Sequence, residues 1–413
     1  MKILYLAHRI PYPPNKGDKI RSFHEIKHFS RHHELHLLSF YDDPKEVIHA
    51  ENLKKFCKMV TLIPLRRRRQ QARAIIAMLS RKPWTLGYFT NPEMWAAVRE
   101  QLCSSNFDAI FVYSSSMAPY VSSENGIPKF LDFVDSDGSK WLQYARSKSI
   151  PASWLYSYEG SKLIRFEQEM ARLFDASIFV SSREAAHLTG EEYHGKIHFI
   201  QNGIDLDHFT CTRTGEPSKT MIFTGAMDYF PNIDAVSFFA REVFPLVKRR
   251  VPDARFMIVG SSPAGSVKAL ESIAGVTVTG SVPDIRPYLR DARVAVVPLR
   301  ISQGIQNKIL EALAAGLPVV TTPNAAGGLQ AVQELPVTVL EDPGAFADQV
   351  VRHLLDSTDT SNRFAQTREV LAKHYDWSAN LARLEALFPQ LNDGLKRNFP
   401  LPPSKRENCR RSS

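Results

Sequence analysis

Residues 303–322 read QGIQNKILEALAAGLPVVTT. A glycine sits in the opening loop, apolar residues then recur at helical spacing, and Gly316 ends the run just ahead of PVV. Upstream, RVAVVPL (293–299) is a short, nearly continuous apolar run ending in a proline, the pattern of a strand buried on both faces. Strand, loop, helix, glycine stop and strand make one crossover unit, and such a unit returns the chain parallel to its first strand. The stretch therefore predicts an α/β fold built on a parallel sheet.

The same rhythm extends in both directions. KILYLA (2–7), LHLLSF (35–40), KMVTLI (58–63), DAIFVY (108–113), PKFLDFV (128–134) and ASIFVS (176–181) are apolar runs, mostly with helical stretches between them. Helices are expected from Asp18 to about Arg31 and from Trp154 to Phe174, the latter with Leu155, Tyr158, Leu163, Phe166, Met170 and Leu173 on its apolar face. After KIHFIQNGIDLDHF the series restarts with TMIFTG, ARFMIVG, VTVTG, RVAVVPL, LPVVTT and PVTVL. A helix from about Ile233 to Arg250 has Ile233, Val236, Phe239, Ala240, Val243 and Val247 on one side. Asn202-Gly203 is a turn signal between the two series. The expected architecture is two doubly wound Rossmann-like domains facing across a cleft. They span 1–200 and 201–390, with a last helix able to pack back on the first domain and a basic tail, 391–413, read as disordered. Ligands of such sheets bind beyond the carboxyl ends of the strands.

At 413 residues the chain is too long for one ordinary core. Its 44% hydrophobic and 23% charged residues are those of a soluble globular protein, and no apolar run reaches membrane-spanning length. The N-terminus does not read as a signal peptide, since His8 and Arg9 break its apolar run. Four scattered cysteines without a CxxC pair fit a cytoplasmic protein and argue against a disulfide framework or a structural zinc. The net charge of +9 is accounted for by RRRRQQAR (66–73) and the tail, which leaves the folded bodies near neutrality. That excludes a basic groove of the kind nucleic acids need. The arginine run continues into Ile75, Ile76 and Leu79 at helical spacing, with Trp84 shortly after. Two readings stay open: docking on an anionic membrane surface, or a solvated loop followed by a core helix.

On the helix that opened this section, Gly304, Lys308, Glu311 and Ala315 share one face, while Leu310, Leu313 and Ala314 share another. A helix N-terminus with free N–H groups attracts phosphate, and Lys308 and Arg300 add cations. Glu311, deeper in, can accept two hydrogen bonds from neighbouring hydroxyls such as those of a ribose. Phosphates at the entrance and a diol further in describe a nucleotide-sugar. The competing reading is an ordinary i, i+3 ion pair on a solvated face. In PYPPNKGDKIR (11–21), Gly17 lets backbone approach a diphosphate, with Lys16, Lys19 and Arg21 nearby; the alternative is a turn with Asp18 as helix cap. DFVDSDGSKW (132–141) gathers Asp132, Asp135 and Asp137 after a strand. These acids suit helix capping better than metal binding, and Asp135 stands out as a residue for the acceptor or the reacting sugar. His8 reads as structural, and no Ser-His-Asp or Cys-His ordering is present.

FVDSDGSKWLQYA (133–145), FTGAMDYFPNIDAVSFF (223–239), VTGSVPDIRPYL (278–289) and PLRISQGIQNKILEALAAGLPVV (298–320) together resemble the GT-B glycosyltransferases of family 4. Within that family they resemble the sugar transferases associated with the exosortase A (PEP-CTERM) system and exopolysaccharide loci. The resemblance implies transfer of a sugar from a nucleoside diphosphate sugar to a lipid-linked or growing saccharide acceptor. It implies retention of configuration, no metal and no other cofactor, with the leaving diphosphate deprotonating the acceptor. Glu311 matches the second glutamate of the family's paired-glutamate motif, on the donor ribose; the first falls at Gln303, which is not acidic. The Arg and Lys that many relatives place after the first strand of the second domain are missing from GAMDYFPN (225–232). The expected donor-side set is Gly17, Gly225, Arg300, Gln303, Gly304, Asn307, Lys308 and Glu311, and the expected catalytic set Asp135, Lys308 and Glu311. Two alternatives remain: a non-catalytic nucleotide-sugar-binding scaffold, kept open by Gln303, and a sugar-nucleotide 2-epimerase, which would need acid and base groups the sequence does not display.

Overall fold

The computed structural model describes residues 1–14, 17–146, 149–209, 218–302, 304–356 and 361–388. Lys16, Gln303, the Asp18 side chain and the tail from 391 lie outside the described residues. The chain divides into two compact units, residues 1–201 together with 378–413, and residues 202–377.

The first unit is a parallel sheet of β1 (Lys2–Ala7), β2 (Glu34–Tyr41), β3 (Met59–Pro64), β4 (Ala109–Tyr113), β5 (Lys129–Val134), β6 (Ala176–Phe179) and β7 (Ile197–Phe199), ordered 3-2-1-4-5-6-7. β1 is central, and Ile3 through Ala7 are fully buried, as its unbroken apolar run requires. β7 escaped the sequence reading because it is three residues long and none of them is buried. The second unit is a parallel sheet of β8 (Thr220–Thr224), β9 (Arg255–Val259), β10 (Val276–Val278), β11 (Val294–Val297), β12 (Val319–Thr321) and β13 (Val337–Val339), ordered 3-2-1-4-5-6 by position within the unit. Both sheets thus have the doubly wound order in which the first strand lies beside the fourth.

Two helices depart from their patterns. Helix Ala152–Leu173 buries Leu163 and Met170, but Leu173 is 45% exposed and Glu159 and Glu167 are buried instead. The reason is hydrogen bonding: Glu159 accepts from the backbone N–H of Trp84 and Thr85, capping the next helix, Trp84–Phe89. Glu167 accepts from Ser136 Oγ at 2.7 Å and Gly138 N at 2.9 Å. The helix expected over 233–250 begins at Phe230 and carries a π-turn at Phe239–Val243. Pro245 follows, with no N–H to give the carbonyl four residues back, and the bulge absorbs that loss. Of the expected apolar face, Val236, Phe239, Ala240, Val243 and Val247 are fully buried, while Ile233, in the first turn, is only half-buried.

The arginine run is not a loop ahead of a core helix. Arg67–Leu79 is one helix; Arg66 to Arg69 are exposed, and Ile75, Ile76 and Leu79 are 55%, 61% and 74% exposed. Ala77 is buried because Gly87 crosses it: a Cβ on Gly87 would lie 2.5 Å from that of Ala77.

Within the first unit the chain's last described segment closes the core. Phe388 packs against Phe130, Phe29 and Phe111 with ring centroids 4.7, 5.1 and 6.2 Å away. One turn earlier, the Glu385 carboxylate lies 2.8–2.9 Å from ring nitrogens of His28, His32 and His33. Cys57 is buried and free, and Cys103, exposed near the end of helix Pro92–Ser104, is disulfide-bonded. Among the described residues no helix is long and apolar enough to cross a membrane.

Candidate active site

The strand order of the second unit puts its switch point between β8 and β11, and ligands of such sheets sit outside the carboxyl ends of those strands. Two loops begin there, one at Gly225 and one at Pro298. At the first, backbone crosses backbone: a Cβ on Gly260 would lie 1.6 Å from Gly225 O, so the end of β9 closes on the end of β8 only because Gly260 has no side chain. The second runs through Gly304, at φ +62, into helix Asn307–Ala314. That helix forms because Ile309, Leu310, Ala312, Leu313 and Ala314 are buried, the expected Leu310, Leu313 and Ala314 among them; Ala315, expected on the face of Lys308 and Glu311, is buried just beyond, and Gly304 lies ahead of the helix rather than on that face. Its N-cap residue Gln306 makes no side-chain cap.

Lys308 turns back toward the end of β8. Its Nζ donates to Asn232 Oδ1 at 2.6 Å and stands 4.3 Å above the Phe223 ring. It makes no ion pair with Glu311 among the described residues, which removes the surface-pair reading. Both side chains keep some accessible surface, yet protein crowds their charged ends. Burial pulls the Lys308 ammonium down to about 7, against the pull of Glu311. Burial likewise pushes the Glu311 carboxyl up to about 7, against the pull of Lys308. A half-desolvated cation and carboxyl at a switch point are the perturbed groups that ligand sites collect.

The other expected donor residues divide. Asn307 accepts from Asn202 Nδ2 at 3.3 Å. Arg300 is held by Asp234, Nε to Oδ2 at 2.9 Å, and lies over the Phe238 ring, so its charge is already answered. Ser302 in the same loop is buried, and its hydroxyl has no partner among the described residues. Asn232 and Phe223 were within quoted stretches but not singled out; nothing in the sequence says that a lysine 76 positions away will find that amide. A cavity of about 580 Å3 lies elsewhere, by edge strand β13, lined among others by Thr338, Gln349, Arg352 and Thr367.

In the first unit Gly17 is exposed and opens helix Gly17–Phe29. Of the cations expected beside it, the two described are engaged: Lys19 Nζ is 2.6 Å from Glu46 Oε1, and Arg21 is fully buried with its Nε 2.7 Å from Asp132 Oδ2. Arg21 Nη1 also donates to Ile200 O at 2.8 Å. His8 stacks on Tyr113 with centroids 5.8 Å apart. The three aspartates diverge, Asp132 toward Arg21 and the Val134 N–H, and Asp137 toward Lys140 at 3.3 Å. Among the described residues no group of three or more His, Cys, Asp or Glu is placed to hold a metal ion.

Asp135 follows a strained residue. β5 slips register between Asp132 and Val134, and Val134 has φ +64, which a β-branched residue adopts only under constraint. The Asp132 carboxylate supplies that constraint by accepting the Val134 N–H at 2.8 Å. Asp135 is half-buried, and burial, with Glu184 and Asp137 nearby, raises its carboxyl to about 7. An acid raised in the folded state binds more protons folded than unfolded, so its ionisation costs stability as pH rises from about 4 through 7. Asp135→Asn should therefore stabilise the protein by about 1–2 kcal/mol at pH 8, discounted for partial exposure, and by almost nothing at pH 4. Urea unfolding at the two pH values measures this; equal midpoints for variant and wild type at pH 8 would refute it.

Solved structures place this fold. The chain is similar to Anabaena Alr3699/HepE in complex with UDP and glucose, with TM-score 0.65 and 14% identity over 94% of this chain and 100% of that one. It is similar to an S. aureus TarM mutant in complex with Fondaparinux, alpha-GlcNAc-glycerol and UDP (TM-score 0.63, 12% identity, 94% and 99% covered). A glycosyltransferase from Rickettsia africae is also similar (TM-score 0.60, 12% identity, 94% and 98% covered). These likenesses show the fold, two Rossmann-like domains of the GT-B type. Residues 218–356, which contain the whole second sheet together with Gly225, Asn232, Lys308 and Glu311, match the family described as Glycosyl transferases group 1. No curated protein matches the sequence.

Proposed function

We propose that the protein is a glycosyltransferase that moves a sugar from a nucleoside diphosphate sugar to a lipid-linked or growing saccharide acceptor. The observation that carries this is Lys308, half-desolvated at the switch point of a glycosyl transferases group 1 domain and without an ion-pair partner among the described residues. Lys308 and the uncapped start of its helix take the diphosphate, and Glu311 takes the ribose diol. Gly304, Asn307, Gly225 and Gln303 shape the donor side. Asp135 serves the acceptor or the reacting sugar. Transfer is hexosyl, with retention, and independent of metal and other cofactors. Catalysis rests on positioning and on stabilising the departing charge. The cellular role is exopolysaccharide synthesis of the PEP-CTERM/exosortase kind, at the cytoplasmic side.

Incubation with radiolabelled nucleotide-sugars and membrane extract tests the reading. Label should enter lipid; free epimerised nucleotide-sugar would mean a 2-epimerase, and binding without turnover a scaffold protein.

Helix Arg67–Leu79 supports a place on the membrane surface. Four arginines, Arg66 to Arg69, and the exposed Ile75, Ile76 and Leu79 form one cationic and apolar element, as interfacial helices do. Each arginine near anionic lipid contributes about 1 kcal/mol, enough for reversible attachment. The protein should co-sediment with anionic vesicles but not neutral ones, and detach at high salt. Replacing Arg66 to Arg69 by Ser should abolish binding while turnover of a water-soluble acceptor analogue stays normal; equal sedimentation of that variant would overturn the assignment.

A further inference from the structure

Lys308 is held by an amide, not by a carboxylate. Asn232 is buried, 5% exposed, at the start of helix Phe230–Phe238. Its Oδ1 takes the Lys308 proton at 2.6 Å, and its Nδ2 donates to Ala226 O at 2.8 Å, in the loop that leaves β8. Gly225 sits against both groups: a Cβ there would lie 2.7 Å from Asn232 Nδ2 and 3.2 Å from Lys308 Nζ. One side chain therefore ties the lysine, the loop and the strand end together, and the bare Gly225 leaves room for the pair.

We propose that Asn232 is the positioning residue for Lys308, holding the ammonium at the end of β8 with a neutral acceptor so that its charge stays available to an anionic donor group. An aspartate would hold the lysine equally well in shape, but it would answer the charge and repel a diphosphate. The amide also fixes which way the group points, since Nδ2 is committed to Ala226 O and only Oδ1 can face the lysine. The same contact suits the lysine's low proton affinity, because an amide does little to retain a proton that burial is expelling. The charged group facing Lys308 is Glu311 on its own helix; Phe223 and Asn232, from the other elements against it, are neutral. This proposal rests on the reading of Lys308 as a diphosphate ligand.

The test measures dissociation constants by calorimetry for UDP, ADP and GDP, using the nucleotide that wild type binds most tightly. If Asn232 were only a structural amide, Asn232→Asp, the closer isostere, would be milder than Asn232→Ala. The proposal requires the reverse order: Asn232→Ala weakens binding a few-fold, while Asn232→Asp weakens it by about tenfold or more, the effect of losing one charge-assisted hydrogen bond. A second readout is the pH profile in a Glu311→Gln background, where the lysine is the titrating member of the pair. There the affinity should fall with rising pH already below about 7, since Glu311 no longer holds the lysine's proton affinity up, and adding Asn232→Asp should move that fall to higher pH. Should Asn232→Asp not fold, Asn232→Ala with wild-type affinity still overturns the proposal. Wild-type affinity in Asn232→Asp alongside a large loss in Lys308→Ala sinks the role of Asn232 alone. Wild-type affinity in Lys308→Ala, or no nucleotide bound by wild type, sinks the donor-site reading and this proposal with it.

Discussion

Lys308→Ala and Glu311→Ala should each weaken binding of the donor nucleotide by about 1.5–3 kcal/mol, roughly 10–150-fold, with the far-ultraviolet circular dichroism unchanged. Neither side chain ties the helix to another element by an ion pair among the described residues, and five buried apolar residues hold that helix in place. Stability should move the other way. A lysine drawn down from 10.5 to about 7 binds fewer protons folded than unfolded, so it costs stability below pH 10.5 and costs most below 7. Lys308→Met, which keeps the stem, should therefore melt higher than wild type at pH 6 while binding nucleotide more weakly. That pairing is the signature of a group strained for a ligand. Unchanged affinity in both alanine variants would reduce the helix to a structural element.

The largest loss of stability is expected at Arg21. It is fully buried between Asp132 and Glu25, with Nε 2.7 and 3.1 Å from their oxygens. Removing it leaves Asp132 charged without its partner, which costs about 3–5 kcal/mol. Glu25 needs it less: burial and the charge of Asp132 hold that carboxyl well above the usual range, and Tyr5 donates to it at 2.6 Å. Arg21→Ala should unfold at much lower urea than wild type, whereas Glu25→Gln, neutral already, should cost under about 1 kcal/mol. Comparable losses in both would show that Glu25 is ionised in the fold. Because Asp132 also fixes the strained Val134 ahead of Asp135, Arg21→Ala should loosen that corner as well.

The sheets were legible because strands buried on both faces leave unbroken apolar runs, and β7 was not because none of its three residues is buried. Leu173 was placed on a buried face that Glu159 and Glu167 occupy, since periodicity sees hydrophobicity and not the N–H groups waiting on another helix. In the candidate site the lysine and glutamate were readable from spacing, but their partners were not. Arg300 looked like a free cation until Asp234, 66 residues earlier, came beside it. Asn232 looked like one polar residue after a proline. Val134 carries no mark in the sequence, because the positive φ on this valine is imposed by the hydrogen bond its N–H donates to the Asp132 carboxylate.

Phe388, wedged among Phe29, Phe111 and Phe130, has a consequence for the order of events during synthesis. The ribosome finishes the entire second unit before it makes this ring, so the first unit waits, its aromatic nest open, until residues 202–377 have been made. A message cut short ahead of residue 378 would still encode every strand of both sheets. Its product would expose the nest to water at about the 3–5 kcal/mol of a lost core phenylalanine. Completion of the first core thus waits on synthesis of the second unit.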